Sequence, residues 1–203
     1  MPLAQHAGWL SITAGALFLA AQTVMWTFDQ RLNLETSQDA VFTAAKITYL
    51  GGFVVLVLAL VATYGLEAPQ AGRFGAVAFS VAIVGTVLLA GDLWFESFAV
   101  PWLAAGPAGQ GLTSEPSILM ASGAISSYLV FAAGWTLFGV ASARARVFPL
   151  AISIAIVVGG VAGFWALLAP GGIPLGVAMA ALGTWIVAVG RRSARAEATG
   201  THS

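Results

Sequence analysis

Six long apolar stretches follow one another along this chain, and each is bounded by a short segment with glycine, proline or charged residues. A helix needs ~20 mostly apolar residues to cross the hydrocarbon core of a membrane. The pattern therefore predicts an all-α polytopic bundle of six transmembrane helices, over residues 7–28, 41–65, 74–100, 117–142, 148–169 and 173–190.

The connections between these stretches are too short for a second folded unit, so residues 1–203 are predicted to form a single transmembrane domain. The first stretch resembles a signal peptide only superficially. No Lys or Arg precedes it, and its apolar run is long for the central region of such a peptide. We expect it to be retained as the first helix.

Composition supports a multi-pass protein of the cell membrane and narrows its possible functions. Charged residues make up 8% of the chain, against about 25% in a typical soluble domain, and the mean hydropathy is +0.92. The formal net charge is zero, so nothing indicates nucleic-acid binding. The chain has no cysteine, and its two histidines are near the termini. Thiolate chemistry is excluded and a histidine-ligated metal is disfavoured, so we expect neither a metal nor another cofactor.

The positive charges predict the orientation. Cytoplasmic connections of membrane proteins carry an excess of Lys and Arg. Two basic residues, Arg31 and Lys46, fall on one side of the predicted bundle. The other six fall on the opposite side, and they are Arg73, Arg144, Arg146, Arg191, Arg192 and Arg195. Both termini are therefore predicted to be cytoplasmic.

Asp92 and Glu96 are the most distinctive polar residues within the apolar stretches. They are four residues apart, so they lie on one face of a helix. Ionisable side chains at membrane depth are costly and mark functional sites by default. Desolvation and mutual repulsion oppose ionisation of both carboxyl groups, so one is expected to keep its proton and to act as an acid. Lys46 could instead neutralise one of them in a structural ion pair, and the sequence leaves both alternatives open.

The position of the acids along the third stretch places them in the outer half of the membrane. At 1.5 Å per residue, Asp92 lies ~27 Å and Glu96 ~33 Å from Phe74, near the outer surface of a hydrocarbon core of ~30 Å. Asp29 follows the first stretch on the same side. Solvated helix ends would also explain these acids. However, the apolar segment Phe98–Ala105 that follows is unusual for a helix end in water and could cap a pocket.

Aromatic residues are predicted at the same level. Interfacial belts of such residues are common in membrane proteins, but negative ring faces beside an acid can also stabilise a carbocation. The candidate substrate-binding residues are Trp26, Phe28, Trp94, Phe95, Phe98, Trp102, Tyr128 and Trp165.

The block Gly85–Trp102, with Asp92 and Glu96 among aromatic residues, resembles small multi-pass membrane proteins of actinobacteria. It is also similar to the small bacterial membrane terpene cyclases of indole-sesquiterpene pathways, such as the drimentine type. The membrane cyclases of fungal meroterpenoid pathways carry a Trp-Glu element in an early helix and a second acid late in the chain. Here Phe95 separates Trp94 from Glu96, and the last two stretches contain no acid. The resemblance implies metal-independent cyclisation of a prenylated substrate.

The leading hypothesis is a membrane terpene cyclase that protonates a hydrophobic isoprenoid drawn from the lipid. Glu96 is expected to be the proton donor because of its longer side chain, with Asp92 as its partner and Asp29 as an alternative acid or a ligand for a polar substrate group. A proton-coupled transporter of a small molecule also uses intramembrane acids and is an alternative. A non-catalytic accessory subunit in the membrane is a third possibility.

Overall fold

A computed structural model of the chain describes residues 2–28, 34–106 and 118–200. The regular elements of these residues are all helical. In chain order they are α1 (Pro2–Met25), α2 (Leu34–Gln38), α3 (Ala40–Trp94), a π-helical turn (Phe95–Ala99), α4 (Val100–Ala104), α5 (Ile118–Ala145), α6 (Leu150–Ala162), a 3₁₀ turn (Gly163–Trp165) and α7 (Ile173–Gly200).

The long helix α3 is folded back on itself at Gly72. This glycine has φ 59° and ψ −160°, a conformation that is open essentially to glycine alone. The rings of Tyr64 and Phe79 stack with their centroids 4.2 Å apart, although they lie on opposite sides of Gly72. α3 is therefore a helical hairpin with a first arm (residues 40–71) and a second arm (residues 73–94), which correspond to the second and third predicted helices.

The predicted all-helical class is confirmed for the described residues. Four helices are long and apolar enough to cross a membrane, and α6 with its 3₁₀ turn is a shorter apolar helix. With α3 divided into two arms, the number of apolar segments agrees with the predicted six. α7 continues to Gly200, beyond the predicted end at residue 190. The Arg-, Ala- and Glu-rich sequence there has high helix propensity although it is not apolar.

Glycine allows close contact between the second arm of α3 and α5. A Cβ atom added at Gly134 would lie 2.6 Å from the Cα of Ala82, and one added at Gly85 would lie 2.5 Å from the Cα of Phe131. Each contact is with backbone, which cannot move aside as a flexible side chain can. Small residues of this kind let membrane helices approach closely.

We expect Gly134→Leu to lower the free energy of unfolding by about 3 kcal/mol, because overpacking against fixed backbone forces the helices apart. Gly123→Leu is the matched control on the same helix, since nothing lies within 4 Å of a Cβ atom at that position. Thermal unfolding of the purified variants in detergent would measure the difference. Equal midpoints for the two variants would contradict the close contact.

The two ends of the bundle differ in character. The Arg191 end brings together Ala4, Leu66, Phe148 and Arg191, which are among the residues lining a cavity of about 500 Å³. The opposite end, which we call the Lys46 end, contains the start of the first arm of α3 and the end of its second arm. Short helices α2 and α4 meet there, and the side-chain amide of Gln38 donates a hydrogen bond of 3.0 Å to the carbonyl of Ala104.

Candidate functional site

At the Lys46 end, an ion pair joins the first arm of α3 to the π-helical turn that follows its second arm. The ammonium Nζ of Lys46 lies 3.0 Å from Oε2 of Glu96. The Lys46 side chain is 10% exposed and that of Glu96 is 27% exposed, so both charges are largely removed from solvent. The same ammonium lies 4.7 Å from the ring centroid of Phe42, one turn earlier in the first arm. The structure thus pairs Lys46 with Glu96, one of the two alternatives left open by the sequence.

Asp92 lies one turn before Glu96 and has no such cation. Its carboxyl group interacts with the hydroxyl group of Ser127 on α5 and is influenced by the charge of Glu96. Its Oδ2 atom is buried and lacks a hydrogen-bond partner among the described residues. The phenol of Tyr128 interacts electrostatically with both carboxyl groups. The structure therefore places Asp92, Glu96 and Tyr128 near one another, together with Lys46 and Ser127.

Glu96 lies in the π-helical turn. The backbone N–H of Val100 bonds the carbonyl of Phe95, five residues back. Two neighbours explain this change in helix geometry. Pro101 has no N–H to donate, and the hydroxyl of Ser97 donates to the carbonyl of Leu93 at 2.6 Å, an acceptor that the regular helix would use. π-helical turns are rare and frequent at functional sites.

The segment after the π turn continues the helix at the Lys46 end of the bundle. α4 continues the chain as a short helix in which Val100 and Ala104 are buried. It contacts α2 through the Gln38 hydrogen bond described above. The apolar run after the acids therefore continues the helix and packs in part against the protein, and the expectation that it caps a pocket stays a prediction.

Most of the predicted aromatic residues face outward. Phe28 and Tyr128 are half-buried. The other six are exposed, and they are Trp26, Trp94, Phe95, Phe98, Trp102 and Trp165. Trp94 and Phe98 contact each other, with centroids 5.8 Å apart. The acids are thus bordered by rings on the outer surface of the bundle and are not enclosed by them.

Two of the predicted rings connect to the site through other rings. Phe28 packs against Phe42, which lies under the Lys46 ammonium. Trp165 packs against Phe164, which in turn contacts Tyr128. No ring contact joins Trp26 or Trp102 to the acids among the described residues. Asp29 lies outside the described residues.

A second polar group at the Lys46 end is satisfied internally. The side-chain amide of Gln22 and the hydroxyl of Tyr49 each donate to the carbonyl of Ala166 at 2.8 Å. The backbone N–H of Gly172 donates to Oε1 of Gln22 at 3.3 Å. These bonds tie α1 and the first arm of α3 to the connection between α6 and α7, which indicates a structural role.

Glu67 is a buried acid that the sequence analysis missed. It lies near the end of the first arm of α3, toward the Arg191 end, and is fully buried. The second predicted helix ends at residue 65, so Glu67 fell in the connection before the third. The spacing of Thr63 and Glu67, four residues apart on one helix face, was the available signal.

No family model, curated protein or solved structure matches this chain. The site is therefore interpreted from its own geometry. Among the described residues, no group of three or more His, Cys, Asp or Glu side chains could hold a metal ion.

Proposed function

We propose that the chain is a multi-pass protein of the cell membrane with six spanning segments and cytoplasmic termini. The four long apolar helices, the hairpin in α3 and the shorter helix α6 support this arrangement. The excess of Arg on the connections at the Arg191 end supports the orientation. The acidic site would then lie in the outer half of the membrane.

Because the chain has no cysteine, single cysteines can report this orientation directly. We expect Ser37→Cys to react with a membrane-impermeant maleimide added to intact cells, because α2 is at the Lys46 end. Gln5→Cys, at the Arg191 end, should react only after the cells are permeabilised. The reverse pattern of labelling would overturn the proposed orientation.

We further propose that the protein is a terpene cyclase that initiates cyclisation of a prenylated isoprenoid by protonation, without a metal. The observation that carries this proposal is the difference between the two carboxyl groups. Glu96 has Lys46 as a partner for its charge, whereas one buried oxygen of Asp92 has no hydrogen-bond partner within the described part of the chain. A carboxyl group without a partner for its charge is favoured to remain neutral in a poorly hydrated site.

This difference favours Asp92 over Glu96 as the proton donor. Glu96, held by Lys46, would act as a fixed negative charge one helical turn away. Such a charge stabilises a nearby carbocation, since preorganised charges act strongly where water is excluded. Tyr128 would orient the substrate between the two carboxyl groups. Asp29 remains an alternative acid or a ligand for a polar substrate group.

The reaction is an isomerisation that balances without a co-reactant. The O–H bond of Asp92 breaks and its proton adds either to a terminal alkene carbon, whose π bond is consumed, or to an epoxide oxygen, whose bond to one ring carbon breaks to leave a hydroxyl group. The resulting cation is attacked by the electron pair of an internal alkene, which forms a ring carbon–carbon bond. A neighbouring C–H bond then releases its proton to the Asp92 carboxylate, and this step restores both the alkene and the acid.

The exposed rings near the acids suit a substrate that arrives from the lipid. Trp94, Phe98 and Trp102 lie on the outer surface of the segment that carries or follows Asp92 and Glu96. An isoprenoid tail could pack against these rings before its reactive end reaches the carboxyl groups. The proposed partners are therefore a hydrophobic isoprenoid and the surrounding membrane lipids.

The test is conversion of a panel of prenylated and epoxidised isoprenoids by membranes that contain the protein. We expect at least one linear substrate to yield a cyclic product of the same mass, with no added metal and in the presence of a chelator. Membranes from cells with an empty vector are the control. A panel that stays linear under all conditions would reject this function.

A proton-coupled transporter is the second candidate. The observation in its favour is that buried ionisable side chains occur at both ends of the first arm of α3, Lys46 at one end and Glu67 at the other. Membrane transporters use such residues to carry protons. Uptake of a substrate by proteoliposomes that follows an imposed proton gradient and is lost in Glu67→Gln would favour the transporter over the cyclase.

A further inference from the structure

The carboxyl group of Glu67 lies in the interior of the bundle without a compensating charge. The side chain is fully buried, and neither Oε1 nor Oε2 has a hydrogen-bond partner among the described side chains. It lies 21 residues after Lys46, which corresponds to ~32 Å along the first arm of α3. It is therefore remote from the acidic site at the Lys46 end and needs a separate explanation.

Two hydroxyl-bearing residues are placed near Glu67, and a third lies on a helix packed against α5. Thr63 is one turn before Glu67 on the same helix face. Ser142 of α5 has its hydroxyl beside the Glu67 carboxyl group. Ser153 of α6 packs against α5 one turn from Ser142, because its carbonyl lies 3.0 Å from the position of a Cβ at Gly139. All three side chains are completely buried.

These hydroxyl groups differ from other buried hydroxyl groups of the protein. Within the described residues, the hydroxyls of Thr63 and Ser153 have no hydrogen-bond partner, and the hydroxyl of Ser142 has only the Glu67 carboxyl group beside it. Elsewhere, several buried serine and threonine hydroxyls donate to the carbonyl four residues earlier, as is usual in helices. Examples are Ser11 to Ala7 at 2.8 Å, Thr86 to Ala82 at 2.6 Å and Ser97 to Leu93 at 2.6 Å. The hydroxyl oxygens near the Glu67 carboxyl group are thus left available for a ligand.

The nearest basic residue along α5 does not face the Glu67 carboxyl group. Arg144 is two residues after Ser142, and residues at that spacing point to different sides of a helix. Its guanidinium group lies over the ring of Phe74, 4.7 Å from the centroid. No ion pair joins Glu67 to a basic side chain of the described residues, so its charge has no neutralising partner there.

We propose that Glu67, together with the hydroxyl groups of Thr63 and Ser142, binds a monovalent alkali-metal cation inside the bundle. Hard cations prefer carboxylate, hydroxyl and carbonyl oxygen ligands, and no nitrogen or sulfur ligand is required. A single positive charge balances the one carboxylate, whereas a divalent ion would leave a buried net charge. This cation site goes beyond the proposed cyclase and does not depend on it.

Thermal unfolding of the purified full-length protein in detergent tests this proposal. The protein is first unfolded in a buffer that contains choline chloride. The choline chloride is then replaced stepwise by NaCl or by KCl at constant ionic strength. Because a ligand that binds only the folded state stabilises it, we expect one of the two cations to raise the unfolding midpoint by roughly 5–10 °C at 100-fold excess over its dissociation constant. The rise should saturate with concentration. Identical midpoints in all three salts would overturn the proposal.

Substitutions show whether the effect belongs to Glu67. Glu67→Gln should remove the cation-dependent rise and should unfold in choline chloride at a midpoint at least as high as that of the wild-type protein, because it lacks the buried charge. Ser142→Ala should raise the cation concentration needed for half of the effect. Asp39→Asn, at the opposite end, should respond as the wild-type protein does.

The same measurements distinguish a bound cation from a proton held by Glu67. A carboxyl group that merely carries a proton would leave the wild-type midpoint independent of Na⁺ and K⁺, and that result rejects the cation site. A rise that persists unchanged in Glu67→Gln would also reject it, because the cation would then act elsewhere. If Glu67→Gln fails to fold, Thr63→Val with Ser142→Ala provides the same comparison.

Discussion

Asp92→Asn is expected to lower the turnover of a cyclised isoprenoid by about 10²-fold or more while the protein still inserts into the membrane. The amide has nearly the same shape as the carboxyl group but cannot donate the proton that starts the reaction. Loss of a positioned general acid typically costs 10²–10⁴-fold. The measurement is the rate of product formation by membranes, divided by the amount of inserted protein.

Two further variants make this result specific. Asp39→Asn replaces another acid at the Lys46 end, where the Asp39 side chain accepts hydrogen bonds from the backbone N–H groups of Val41 and Phe42. Asn caps helices about as well as Asp, so turnover should be unchanged. Glu96→Gln should lower turnover less than Asp92→Asn, because Glu96 is proposed to stabilise charge and not to donate the proton. Wild-type turnover in Asp92→Asn would end the assignment of Asp92 as the acid.

The helices themselves could be predicted because length and hydropathy are local properties of the sequence. The hairpin in α3 could also be predicted, since Pro69, Gly72 and Arg73 interrupt the apolar pattern between its arms. The rotation of each helix about its own axis could not be predicted from the sequence. The helices are apolar on all sides, so no polar face marks the surface of the bundle. For this reason the sequence could not show that Trp94 and Trp102 face outward.

The acidic site could be predicted only in part. Asp92 and Glu96 share a face because their spacing determines it, but the partner of Glu96 lies 50 residues away in the first arm. That pairing depends on how the two arms of α3 are aligned at Gly72, which no local pattern encodes. Glu67 was missed for a related reason. The helix continues through Pro69 and carries Glu67 into the interior of the bundle.

Lys46→Met is expected to lower the free energy of unfolding by about 3 kcal/mol. The substitution keeps much of the side-chain volume but leaves Glu96 without its partner, and removal of one member of a buried ion pair typically costs 3–5 kcal/mol. We expect the lower end of this range because the Glu96 side chain is 27% exposed. Glu96→Gln should also destabilise the protein, since it leaves the largely buried Lys46 ammonium unpaired.

The double variant Lys46→Met/Glu96→Gln separates the ion pair from other effects of these substitutions. It removes both charges, so it should be more stable than Lys46→Met alone. Loss of the contact between Lys46 and Phe42 affects the single and the double variant equally and cancels in the cycle. Chemical unfolding in mixed micelles would measure all four proteins. Strictly additive losses would show that Lys46 and Glu96 are not coupled, and the argument that leaves Asp92 as the proton donor would then fail.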